Sequence, residues 1–157
     1  MVRVTADTNI FISALIFPRG KPFQFLEMAR EGKINLTVSE AILDEIGGVL
    51  AEKFNWPPNE IADARRRITA MARRVTPAVE LDVIKEDSAD NRILECAVGA
   101  GSDYIVSGDK DLLRLGSYDS IKILNVSDFL ALANERARSP GRALCVLARD
   151  VLSRDVL

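Results

Sequence analysis

Short β-rich runs alternate with segments of helical period along most of this chain, and nothing else in the sequence constrains the fold as much. Val2-Arg3-Val4-Thr5-Ala6, Ile34-Asn35-Leu36-Thr37-Val38, a stretch over 75–83 interrupted near Pro77, Tyr104-Ile105-Val106-Ser107 and Ile121 to Val126 read as strands. Between them, Ile10 to Phe17, Pro22 to Gly32, Ser39 to Phe54, Glu60 to Arg74 and Ser88 to Val98 repeat apolar residues at helical spacing. Ser39 is an expected N-cap, and Asn55-Trp56-Pro57-Pro58-Asn59 is expected to be a loop because paired prolines cannot continue a helix. Ser127 is the expected cap of a last helix through Phe129, Leu130 and Leu132. Strands that alternate with helices predict an α/β, three-layer fold: a central, mostly parallel sheet of about five strands, joined by right-handed crossovers and flanked by helices.

The 157 residues suit one domain, and with 48% hydrophobic residues they can bury a sizeable core. The Ser139-Pro140-Gly141 break sets the expected boundary, with a domain over 1–136 and a tail over 137–157. Leu144, Leu147, Val151 and Leu152 predict a small helix in that tail. No apolar run approaches the roughly 18 residues of a membrane span. Met1 leads directly into the first strand without a charged n-region or apolar h-region, so the expectation is a soluble, cytoplasmic protein.

Histidine is absent. That excludes Ser-His-Asp and Cys-His nucleophile systems, imidazole acid–base pairs and His-containing zinc sites. Cys96 and Cys145 are too few for a structural zinc and too far apart for a Cys-x-x-Cys redox pair, and Cys96, within an apolar helical pattern, reads as a core thiol. Chemistry here must come from carboxylates, hydroxyls, amines, a metal or a cofactor. The glycine-rich loops of nucleotide binders are missing as well.

Carboxylates are well placed. In an open parallel sheet, sites form in the crevice at the carboxyl ends of the strands. Asp7 directly follows the first strand, Asp109 and Asp111 follow the Tyr104–Ser107 strand, and Asp90 lies near the start of the helix that leads into that strand. If the two strands are neighbours, these residues converge. At about 100° per residue, Glu45 borders the Ile42, Ile46 and Val49 stripe, whereas Asp44 points to the opposite face. Taken singly, Asp90 and Asp109 read first as helix N-caps, Asp111 as a complement to a helix dipole and Glu45 as a solvated residue. Taken together, Asp7, Glu45, Asp90, Asp109 and Asp111 form a cluster that repels itself unless pKa values rise or cations bind. An all-oxygen set suits Mg²⁺ or Mn²⁺, and a pair of such ions about 4 Å apart supports phosphodiester hydrolysis.

Four segments then carry a resemblance. Val4-Thr5-Ala6-Asp7-Thr8-Asn9, Ser39-Glu40-x-x-Leu43-x-Glu45-Ile46, Asp87-x-x-Asp90-Asn91-x-Ile93-Leu94-x-x-Ala97 and Ser107-Gly108-Asp109-x-Asp111-Leu112 occur in the order and spacing of a PIN-domain nuclease. Ile123-x-x-Val126-x-x-Phe129-Leu130 is similar to that family's last strand and helix, so the resemblance covers about residues 1–135. It implies a PIN-like fold and a metal-dependent ribonuclease, often the toxin of a prokaryotic toxin–antitoxin pair that forms homodimers and is inhibited by a small protein antitoxin. Carried over, Asp7, Glu45, Asp90 and Asp109 are the acidic metal-binding and catalytic set, with Asp111 auxiliary. Asn9 orients Asp7, and Ser107 hydrogen-bonds within the site. Ser88 and Ala89 stand where relatives often have Pro and Asp.

A formal charge of −2 argues against a generic nucleic-acid binder, but two bound divalent cations would reverse its sign. Arg65, Arg66 and Arg67, with Arg73 and Arg74, offer a basic track for an RNA backbone. A solvated helix face accounts for them equally well, because neighbouring helical residues point in different directions. The competing function is a catalytically idle PIN-like module for RNA binding or scaffolding, which the complete acidic set disfavours. A phosphatase of the haloacid dehalogenase type needs a second Asp two residues after the first, where this chain has Asn9.

Overall fold

The strand that comes first in the chain, β1 (Arg3–Ala6), lies in the middle of the sheet. Val4, Thr5 and Ala6 are all buried although successive side chains point to opposite faces, so β1 is covered on both sides. The computed structural model describes residues 1–84 and 88–138. After β1 come α1 (Thr8–Ile16), α2 (Lys21–Arg30), β2 (Asn35–Val38), α3 (Glu40–Phe54), α4 (Pro58–Met71) and β3 (Ala72–Arg74). Then follow α5 (Ser88–Ala100), β4 (Tyr104–Val106), α6 (Lys110–Leu115), β5 (Ser117–Tyr118), β6 (Ile121–Leu124) and α7 (Val126–Arg138).

The sheet runs β3-β2-β1-β4-β6-β5. Its pairings are parallel except for the closing β5–β6 hairpin. The chain steps outward from β1 to β2 to β3, and α5 then returns it to β4 on the other side of β1. That reversal makes the β1–β4 boundary a topological switch point, which opens a crevice at the strands' carboxyl ends. Ala6 pairs with Val106 there, so the residues that follow each strand emerge side by side.

Helices flank the sheet as the alternation predicts. α5 packs across β1, β2 and β4, while α1 packs on α2 and α3, and α7 on α2. Phe25 of α2 meets Phe129 of α7 edge-on at 5.3 Å, and Phe129 meets Tyr104 of β4 in the same way at 5.9 Å. All three rings are buried, and truncating such a ring costs about 3–5 kcal/mol.

Several elements differ from expectation. The sheet has six strands rather than about five, because the two-residue β5 carries too little pattern to be seen in sequence. The strand expected over 75–83 is not formed. The strand is β3, cut from the end of the expected Glu60–Arg74 helix. Ala72 is buried opposite Leu36 while Arg73 and Arg74 face solvent at the sheet edge, so three residues leave no alternation to read. The ladder extends by one bond, Val75 N–H to Val38 O, and gives out before Pro77. Pro58 does not lie in a loop: it opens α4, where its missing N–H would have been unpaired anyway. Asn125, rather than Ser127, caps the last helix, its Oδ1 accepting from Asp128 N–H at 2.8 Å. Ser39 does cap α3, accepting from Ile42 N–H. Asp87 and the tail helix expected around Leu144–Leu152 lie outside the described residues.

Candidate active site

Asp7 occupies the N-cap position of α1, yet its side chain makes no capping hydrogen bond. Its backbone N–H donates to Val106 O at 2.9 Å, continuing the β1–β4 ladder, and its Oδ2 accepts from Ser107 Oγ at 2.7 Å. The same Ser107 Oγ accepts from Asp109 N–H at 2.9 Å. One fully buried hydroxyl therefore ties the residue after β1 to the residue after β4. Burial pushes the Asp7 carboxyl above the usual carboxylate range, and the charge of Asp109 adds to this. The Ser107 hydroxyl and the N–H groups of Thr8 and Asn9 oppose the rise without cancelling it.

Asp109 does cap a helix, as its single-residue reading has it. Its Oδ1 accepts from Asp111 N–H at 2.8 Å and Leu112 N–H at 3.3 Å at the start of α6. The cap fixes the carboxylate's orientation and leaves Oδ2 outside it. Asp111 is half-buried in the first turn of α6, with exposed Arg114 3.5 Å away. Asp90 is buried in the first turn of α5. A carboxylate oxygen from each of Asp90, Asp109 and Asp111 lies within 4.8 Å of the others.

These three side chains come together from two helix starts. Glu45 sits half-buried on α3, outside that trio, and Asp44 is exposed, as the helical geometry predicts. Asn9 is exposed, and the side-chain hydrogen bond on Asp7 comes from Ser107, with the Asn9 backbone N–H also facing that carboxyl. The arginines diverge. Arg65 reaches across to α3, pairing with Glu40 and with Asp44 at 3.1 Å, while Arg66 and Arg67 both engage Asp63. Arg74 lies 3.6 Å from Glu40, and Arg73 is exposed on β3.

The donor set fits a hard divalent cation. It is all oxygen, the charge of Asp109 opposes that of Asp7, and Arg114 beside Asp111 is exposed. Two side chains of α5 stand out beyond the residues the sequence singled out. Asn91 and Glu95, both buried, hold residues 81–84 through hydrogen bonds to their backbone. A glutamate inside an apolar stripe, four residues after an asparagine, is the signal that could have marked them.

The open α/β sheet thus gathers acidic side chains near its switch point. The chain belongs to the PIN domain family, a family of nucleases, whose signature matches residues 3–111 and so runs from β1 to the last carboxylate of the trio. It is 32% identical over 130 residues to the uncharacterized protein MJ1680 of Methanocaldococcus jannaschii, covering 80% of this chain and 83% of that one.

Proposed function

We propose that this protein is a divalent-metal-dependent endoribonuclease that hydrolyses RNA phosphodiester bonds, with Mg²⁺ or Mn²⁺ held by Asp90, Asp109 and Asp111 together with Asp7, and with Glu45 at the rim. The observation that carries the reading is the meeting of three carboxylates beside an Asp7 coupled to Asp109 through Ser107. When bound, a divalent cation supplies Lewis acidity toward the phosphodiester and lowers the pKa of a water. The chain's own part is orientation. The cap at α6 fixes Asp109, Ser107 holds Asp7 with a donated proton, and the buried position of Asp7 and Asp90 restricts competing water around the charges.

Cleavage of a fluorescent single-stranded RNA tests this. EDTA is expected to abolish it and added Mn²⁺ to restore it. Asp7→Asn, which preserves size but removes a charge, is expected to lower it by about a hundredfold or more while the protein stays folded. Full cleavage in excess chelator, with contaminating nucleases excluded, overturns the reading.

Its narrower form is a toxin that forms homodimers and is restrained by a small antitoxin, supported by the family resemblance alone. Growth arrest on expression of the natural sequence, absent with Asp7→Asn, is the expected result. Equal growth of the two strains removes the toxin role.

A further inference from the structure

Asn91 follows Asp90 directly, and its side chain bonds the backbone of the segment before α5. Its Oδ1 accepts from the N–H groups of Val83 and Ile84, each at 2.9 Å, and its Nδ2 donates to Ile84 O at 2.8 Å. One turn further on, Glu95 Oε2 accepts from Leu81 N–H at 2.7 Å, and Arg92 Nη2 donates to Leu81 O at 3.3 Å. Another turn on, Gly99 lies so close to Pro77 that an added Cβ would meet its Cα at 3.4 Å. Positions 91, 95 and 99 thus form one face of α5, along which the segment after β3 is laid. Ile93, Leu94 and Ala97 supply the buried apolar stripe of the same helix.

That apolar stripe begins at Ile93, so the turn that bears Asp90 extends beyond it. First turns lack intrahelical partners for their N–H groups and fray unless tied down. Asn91 is 1% exposed and makes three hydrogen bonds, and so ties this turn to residues seven and eight positions earlier. We propose that Asn91 is a positioning residue that sets the turn carrying Asp90 and thereby the preorganisation of the Asp90–Asp109–Asp111 cluster for a divalent cation. The inference rests on the metal-dependent reading above. Glu95 holds the same segment a turn away from Asp90, so loosening it leaves the cluster in place.

Mn²⁺ binding to the full chain, followed by electron paramagnetic resonance without RNA, separates the alternatives. Asn91→Ala is expected to bind Mn²⁺ about tenfold more weakly than the natural sequence, the scale on which partners of ligand side chains act. Glu95→Gln, which keeps an acceptor for Leu81 N–H, is expected to stay within about twofold, against the tenfold or greater loss typical of such partners. Affinity unchanged in Asn91→Ala, or lowered equally in both variants, overturns the proposal and leaves Asn91 a structural clamp. If the natural sequence itself binds no Mn²⁺, the metal reading fails and this inference fails with it. Where circular dichroism shows Asn91→Ala unfolded, Asn91→Gln takes its place. It keeps the amide and displaces it by one methylene, so weakened Mn²⁺ binding by a folded Asn91→Gln supports the proposal, and affinity equal to the natural sequence overturns it.

Discussion

At the carboxyl ends of β1 and β4, acidic side chains are buried or half-buried, whereas those of Glu40 and Asp44, after β2, stand in solvent and are matched by arginines. Asp7 and Asp90 are 5% and 4% exposed. The side chains of Glu40 and Asp44 are 56% and 72% exposed, and both pair with Arg65. The strands, their direction and the edge are the same, so backbone architecture does not explain the contrast. Arginines offset the acidic charge at β2–β3, whereas burial and the charge of Asp109 push the Asp7 carboxyl above its usual range. A buried carboxyl in that state is costly to fold, and under the proposed function a bound cation would relieve that cost.

The sharpest way to break the comparison uses neighbouring residues on α3. Glu45→Gln is expected to lower metal-dependent cleavage by about tenfold or more, because the proposed function places half-buried Glu45 at the rim of the metal site. Asp44→Asn is expected to leave it unchanged and to alter stability by no more than about 0.5 kcal/mol. Measuring cleavage against Mn²⁺ concentration for the pair decides it, and equal activity would confine the acidic set to aspartates.

A smaller effect concerns stability in EDTA. Because Asp7 has its pKa raised by burial, the folded state holds its proton more tightly than the unfolded state does. Its favourable contribution is full below the unfolded value, about 3.9, and is lost as pH rises through the folded one. Asp7→Asn is therefore expected to raise the melting temperature at pH 7 by a few degrees, each kcal/mol being worth about 2–4 °C in a chain of this size. The gain should shrink as pH falls toward 4, the ordinary carboxylate range. A gain independent of pH would show that the ionised carboxylate is not what burial penalises.

The smallest effect lies at the other end. Arg65→Ala is expected to cost less than about 1 kcal/mol, and less again in 1 M salt, because its partners are exposed. A larger, salt-independent loss in urea melts would mean that the β2–β3 pairs hold the fold and would remove the contrast.

What the sequence disclosed followed the reach of its signals. Ser39 and Asp109 are local caps, written in one residue and its next three, and both are found as expected. β1 and β4 announce themselves by composition, but their adjacency enters only as a condition, since pairing across a hundred residues leaves no mark in either segment. β3 was hidden because an edge strand of three residues, two of them arginine, looks like the end of the basic helix before it. Asn91 stood in a recognised motif without a role, because its partners are the backbone groups of a segment with no regular pattern. Ser107 enters through resemblance, and its two hydrogen bonds, one donated to Asp7 and one accepted from Asp109 N–H, are visible only in three dimensions.

The hundred-residue separation between Asp7 and Ser107 also bears on time. A ribosome delivers β1, with Asp7 at its end, about a hundred residues before β4, and α6 only after that. Closing so long a loop costs little more than closing a shorter one, since the entropy grows only with the logarithm of length. The delay is set by the order of synthesis, and contacts this distant in sequence are among the last to form. A growing chain thus carries Asp7 without its Ser107 partner for about a hundred residues of synthesis. Under the proposed function, the site is complete only once α6 has been made.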